Sequence, residues 1–188
     1  MKDKEYWMKF YKTFTKSECS SFCEYVIEYV ANREVRRVLD AGCGNGRDTY
    51  RLADWYDVTG IDTSSHIPEN KNGCEFKEID FCTHNKDTYE LIYSRFTFHS
   101  ITNEQHKLFL SSIKNKDTIL CIECRSDKDR DAEKIYGEDH YRNYINYTYI
   151  VELVKMYDFH IEYIEEARGF SVHNTEDPWC IRLIARKN

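Results

Sequence analysis

Two prolines and seven glycines are all that 188 residues contain. Neither type gathers into a linker, and no internal repeat or low-complexity tract interrupts the chain. The sequence therefore reads as one domain over 1–188 with a sizeable core. It also lacks any run near the roughly 18 uninterrupted apolar residues that a spanning helix needs. Its opening, MKDKEYWMKFYK, is charged and has no apolar stretch of the kind a secretory signal carries. These absences point to a cytoplasmic protein with no membrane contact. Positive charge is short as well. A net charge of -6 makes a broad nucleic-acid surface unlikely and leaves room only for a local basic patch. No second CxxC or HxxxH accompanies Cys121 and Cys124, which on a strand point to opposite faces, so no metal is expected. The eight cysteines read as small buried hydrophobes in a reducing compartment.

What is present is a packed globule, with 41% hydrophobic and 15% aromatic residues. Helix-like and strand-like segments alternate, the pattern of an α/β domain. The spacing predicts a helix over 17–32 capped by Ser17, with Phe22, Val26, Ile27 and Val30 on one face. Strands are expected at 36–41, 57–62, 74–81, 89–96, 117–125, 160–169 and 179–187. A helix should open at Gly46. Others are expected over 102–115, with Leu108, Phe109 and Ile113 inward, and over 148–159. The loop after residue 62 is polar and short where a crossover helix usually lies. The link 170–178 is too short for a crossover, so the last two strands should run antiparallel. The sum is a Rossmann-like seven-stranded sheet, mostly parallel with an antiparallel last strand, and helices on both faces. Residues 126–146, charged and tyrosine-rich, read as an insertion on the substrate side.

Three of the scarce glycines fall at alternate positions in VLDAGCGNGRDT (38–49). They sit where the first strand turns into a helix, where glycine lets a ligand approach the backbone and helix-start amides are exposed. A dinucleotide loop, G-x-G-x-x-G, would need glycine at 47, and Arg47 stands there. An acid at the strand end, Asp40, suits a ligand bearing an amine instead. Asp62, at the second strand's tip, suits ribose hydroxyls. Asp80 and Phe81, at the third, suit an adenine amino group and its ring. Singly, each has a plainer reading as a tight turn or helix cap.

In register, these segments resemble the class I S-adenosylmethionine-dependent methyltransferases: VLDAGCGNG, VTGIDTS, KEIDF and YELIYSRFTFHSI match four of their motifs over about residues 35–125. The resemblance implies S-adenosylmethionine as cofactor. It places the methionine part on Asp40 and the loop Gly42, Gly44, Asn45 and Gly46, the ribose on Asp62, and the adenine on Asp80 and Phe81. Thr63 and Ser94 are further candidates for the cofactor, Thr63 with a plainer reading as a cap. In the N-terminal segment Trp7, Phe10 and Tyr11 share a helical face. That face is either packed on the domain or part of a lid over 1–32, with Tyr6 or Tyr11 bonding the cofactor's carboxylate.

Methyl transfer needs alignment and exclusion of water, and a base only if the nucleophile must lose a proton. The Asn/Asp-Pro-Pro-aromatic motif of many base and protein N-methyltransferases is absent; Ser94-Arg95-Phe96 stands in its place. Arg95, Arg125, Tyr141, Arg142, Arg168 and His173 lie in segments bordering the expected mouth. Arginine forks take phosphate or carboxylate in two-point contacts, which suggests a small anionic substrate. His99 or His140, with Glu123 behind and Arg95 beside, are the candidates for catalysis; an ionised phosphoryl oxygen would need no base. The stretches YSRFTFHSI, IECRS, DHYRNYI and the C-terminal EEARGFSVHNTEDPWCIRLIARK resemble small methyltransferases of bacterial surface-polysaccharide loci, including those linked to O-methyl phosphoramidate capsule modification. Two other readings remain open: an RNA or protein methyltransferase, and a noncatalytic S-adenosylmethionine-binding protein.

Overall fold

The computed structural model describes residues 2–13, 18–64, 68–70, 73–130 and 140–188. Among them seven strands form one sheet. In chain order the elements are α1 (Lys2–Thr13), α2 (Ser21–Val30), β1 (Arg37–Ala41), α3 (Arg47–Leu52), β2 (Asp57–Asp62), β3 (Glu75–Glu78), β4 (Leu91–Arg95), α4 (Asn103–Ser111), β5 (Ile119–Arg125), α5 (Tyr147–Met156), β6 (Phe159–Ala167) and β7 (Cys180–Lys187). The sheet order is β3-β2-β1-β4-β5-β7-β6. All neighbours pair in parallel except at β7, which runs antiparallel to both β5 and β6.

Strand alternation sorts the core into two layers. Val38, Leu91, Tyr93, Ile119 and Cys121 face the side covered by α2 and α3. Leu39, Ile92, Leu120 and Ile122 face the side covered by α4 and α5. Because successive strand residues point to opposite faces, one apolar run feeds both layers. The order reverses between β1 and β4, and the carboxyl ends of the strands on either side of such a switch open onto a crevice.

Local differences from the sequence reading have simple causes. The expected cap Ser17 lies outside the described residues. Ser20 caps α2, its side chain accepting from the Cys23 amide at 3.1 Å. Leu108 points outward and is half exposed, because α4 buries His106, Phe109 and Leu110, with Ile113 completing the 3-4 spacing beyond its end. β3 stops at Glu78, and Asp80 begins a turn by accepting from the Cys82 amide at 2.8 Å. Between β2 and β3 the described residues form no helix. All eight cysteines are free thiols. Among the described residues no helix is long and apolar enough to cross a membrane. Most of the expected insertion, 131–139, lies outside the described residues, but Ile145 bridges back to Ser126 beside β5.

Candidate active site

β1 delivers Asp40 and then turns through Gly42, Gly44 and Gly46, whose φ angles are 89°, 54° and 77°. Side chains rarely adopt that left-handed region. The turn is pinned to β2, where the Ile61 carbonyl accepts from the Gly42 and Cys43 amides at 2.8 and 3.1 Å. A Cβ at Gly44 would lie 2.4 Å from Cζ of Tyr11, and one at Gly42 would lie 2.1 Å from Cγ2 of Thr97. The glycines thus let Tyr11 and Thr97 pack directly against the loop. Asp62 fixes it from below: one oxygen accepts from the Gly44 amide at 3.0 Å and the other from the Ser64 amide at 2.7 Å.

Two clefts meet over this loop. One runs past Asp62, Thr63, Asp80 and Phe81 toward Thr97. The other holds Asp40, Gly42, Cys43 and Asn45 at one end. Trp7, Tyr11, Gly42, Arg95 and Phe96 border both. The two clefts adjoin at these shared residues and make a trough along the strand tips, with acids along one flank.

Asp40 is buried and accepts from the Thr49 hydroxyl at 2.6 Å. Burial pushes its carboxyl up to about 8; the Thr49 bond opposes that shift, and the neighbouring Asp48 and Asp62 reinforce it. Asp48, at the start of α3, is held by Ser20 and Tyr93. Its Oδ2 accepts from the Tyr93 hydroxyl at 2.7 Å and the Ser20 hydroxyl at 2.8 Å, and its Oδ1 from the Ser20 amide at 2.7 Å. Phe81 packs into the core as well as bordering the trough.

The aromatic face of α1 closes one wall. Tyr6, Trp7, Phe10 and Tyr11 all border the second cleft. Tyr6 stacks on His140 with ring centres 4.1 Å apart. Burial, with the Asp62 charge next, raises the Tyr11 hydroxyl above its ordinary value.

The far end of the second cleft is rich in guanidinium groups. Arg95 donates from Nε to Glu123 at 2.8 Å and from an η-nitrogen to Ser171 at 2.7 Å. Arg125 pairs with Glu176 at 2.7 Å. Arg142 donates to Nε2 of His140 at 3.1 Å, while its own Nε is buried with no hydrogen-bond partner among the described residues. Phe96 lies between two of these cations, 4.2 Å from the Arg95 guanidinium carbon and 5.6 Å from that of Arg125. Its φ of 60° is costly for an aromatic residue and turns the chain at the tip of β4. His99 and His173 complete this end.

Several expected residues stand elsewhere. Glu123 is fully buried between two arginines, accepting from Arg95 and, at 2.7 Å, from Nε of Arg182. It touches neither His99 nor His140 and so is not placed to back a base. Ser94 is buried, donating to the Ala41 carbonyl at 3.2 Å and bonded to Thr97; it borders neither cleft and ties β4 to β1 instead. Tyr141 borders the Asp62–Asp80 cleft, not the one that holds Arg125 and Arg142. Arg168 is exposed at the end of β6 over the Trp179 ring, outside both clefts. Gly46 also borders neither; it precedes α3 in the left-handed conformation, against the Phe76 ring.

Arg47, Asp48, Tyr93, Phe96, Ser171 and Glu176 border the second cleft without having been singled out from sequence as site residues. Arg47 and Asp48 follow the glycine loop directly, so their position was readable. Ser171 and Glu176 come from the β6–β7 connection, and nothing local marks them.

A parallel sheet with one reversed strand next to the last, and a glycine loop after β1, define the fold of S-adenosylmethionine-dependent methyltransferases. The profile of a methyltransferase-domain family matches residues 11–171, and the chain belongs to that family. Solved structures agree in fold. A methyltransferase from Anabaena variabilis has 18% identity and a TM-score of 0.70, covering 98% of this chain and 93% of its own. One from Methanosarcina mazei has 17% identity and a TM-score of 0.68, covering 85% and 96%. The magnesium protoporphyrin IX methyltransferase of Synechocystis, solved with S-adenosylhomocysteine bound, has 17% identity and a TM-score of 0.65, covering 88% and 81%. No curated protein matches in sequence. The Anabaena and Methanosarcina structures are S-adenosylmethionine-dependent methyltransferases whose fold this chain shares.

The residues present fit that cofactor. Asp40 and Asn45 border one cleft, Asp62 at the tip of β2 borders the other, and Gly42 of the loop borders both. S-adenosylmethionine supplies a methyl group on a positively charged sulfur, activated for displacement.

Proposed function

We propose that this enzyme moves the methyl group of S-adenosylmethionine to a small anionic acceptor. In this reading Asp40, Gly42, Gly44 and Asn45 hold the methionine part, Asp62 and Thr63 the ribose, and Asp80 with Phe81 the adenine. The acceptor occupies the far end of the second cleft, among Arg95, Arg125, Arg142, His99 and His173. The α1 helix is a lid over both ligands.

One observation carries the acceptor class. Arg142 lines the cleft with a buried Nε that has no hydrogen-bond partner among the described residues, and a buried unsatisfied donor costs on the order of 1–3 kcal/mol, more when charged. An oxyanion in the cleft removes that cost. The chemistry fits a phosphorylated, carboxylated or phosphoramidate-type acceptor, and a place in surface-polysaccharide synthesis in the cytoplasm is consistent with it. Methyl-labelled S-adenosylmethionine incubated with the protein and a lysate of its source tests the reading. Label in the small, anionic, phosphorus-containing fraction supports it; label on RNA or protein refutes it.

A further inference from the structure

His99 is the middle residue of the short 3-10 turn Phe98–Ser100 after β4 and is buried, yet it borders the second cleft. Its Nδ1 lies 3.2 Å from the Arg125 amide and accepts from it. A backbone amide can only donate, so that nitrogen must carry a lone pair. In the neutral ring the proton then sits on Nε2. The surroundings oppose a second proton. Burial is the largest effect, followed by Arg125 of β5, Arg142 and His140 of the segment before α5, and Arg95 of β4; together they hold His99 well below its usual range. Its carbonyl is also fixed, accepting from the Asn143 amide at 2.7 Å, so the ring's place is set from both sides. The carboxylates at this end are engaged: Glu123 with two arginines, and Glu176 with Arg125.

Resting on the anionic-acceptor reading above, we propose that His99 meets the acceptor as a hydrogen-bond donor from Nε2 and does not serve as a base. The acceptor is then an oxyanion whose own ionised oxygen attacks. Its electron pair forms the new oxygen–carbon bond as the methyl group leaves sulfur, and the carbon–sulfur pair returns to sulfur. The products are a methyl ester and the neutral thioether, and no proton moves. His99 steadies the oxygen that must be aligned, and its neutrality leaves that oxygen more nucleophilic than a further full positive charge would.

Nitrogen-15 NMR of the histidine rings tests this without turnover. The expected spectrum shows His99 as the Nε2–H form from pH 6 to 9, with the H99F variant supplying the assignment. In the complex with S-adenosylhomocysteine, inorganic phosphate should shift the Nε2 signal. H99F should bind phosphate about tenfold more weakly, and H99Q, which keeps a donor, should stay near wild type. A His99 that is the Nδ1–H form, or an imidazolium losing its proton near pH 6.5, overturns the donor role while leaving the anionic reading intact. Failure of phosphate to shift any Arg or His signal of the cleft in that complex overturns the anionic reading and the donor role together.

Discussion

The buried acid at the end of β1 makes cofactor binding depend on pH in a way that can be worked out beforehand. Asp40 is held up to about 8 in the protein alone. The proposed contact sets it beside the cofactor's ammonium group, which favours the carboxylate. Binding must then expel a proton. At pH 7 about one molecule in ten carries the ionised carboxylate, so the intrinsic affinity is reduced by roughly 1.4 kcal/mol. Each unit of pH below that removes about another factor of ten. The dissociation constant of S-adenosylmethionine should therefore rise about tenfold from pH 7 to 6. Above roughly pH 8 the cofactor's own amine titrates and the gain stops.

Titration calorimetry in two buffers of different ionisation enthalpy at pH 6.5 reads the proton directly, with about one expected to be released. The D40N variant should lose both the release and the slope. The stability of the free protein supplies a second check with its sign fixed. A carboxyl whose folded value lies above its unfolded one gives stability that is present at low pH and lost as pH rises toward 8. Wild type should lose stability across roughly pH 4–8 relative to D40N. A cofactor affinity flat from pH 5.5 to 7, with no proton released, refutes the contact between Asp40 and the ammonium.

Other expectations follow from single contacts. Replacing Arg95, Arg125 or Arg142 by Ala should raise the acceptor's Michaelis constant about tenfold or more with cofactor affinity unchanged, and R168A should match wild type because that side chain lies over Trp179. G44A places a Cβ against the Tyr11 ring; cofactor affinity should fall, and protease cleavage within α1 should quicken. Lys86 is fully buried, its ammonium donating to two carbonyls and Ser112, and burial lowers it to about 8. The unfolded chain keeps that proton to higher pH, so stability should rise between roughly pH 8 and 10.5, and K86M should remove this rise in a denaturant titration. E123Q leaves Arg95 and Arg182 without their shared buried charge and should cost about 3–5 kcal/mol in a thermal or denaturant melt.

The half of the trough proposed for the cofactor could be outlined from sequence because it is built locally. Asp40 and Asp62 each end a short apolar strand, and the glycines that follow Asp40 need no distant residue to explain them. β2 runs over Asp57–Asp62, the span its own pattern sets. The acceptor half is assembled across the chain. Glu123 looked like support for a histidine base because only its neighbours in sequence were visible. The register of β5 against β7 pairs it with Arg182, a residue 59 positions away. Arg168 looked equally suitable, yet it lies past the bend where β6 leaves the sheet. Ser94 looked like a cofactor ligand because it stands near a strand tip, but its hydroxyl turns back to the Ala41 carbonyl. Leu108 failed for a smaller reason: a helix starting at Asn103 buries 106, 109 and 110, and a residue between those positions faces water.

The charges of the trough suit a reaction in which charge disappears. Its acid flank, Asp40 and Asp62, faces the half proposed for a cofactor that carries an ammonium and a sulfonium. Its basic end faces the half proposed for an anion. When an oxyanion attacks a sulfonium, both charges are lost in the transition state, so a dry site favours the step more than water does. Strong cations at the acceptor work against it, because they stabilise the ground-state anion most. The structure tempers them. Arg95 shares Glu123 with Arg182, and Arg125 is matched by Glu176, so much of their charge is already balanced. What they retain is a rigid set of donors, fixed before the acceptor arrives. A neutral His99 extends that set without adding charge. Alignment of the attacking oxygen is thereby gained with little loss of its nucleophilicity, and the aromatic wall of α1 keeps bulk water from taking either ligand's place.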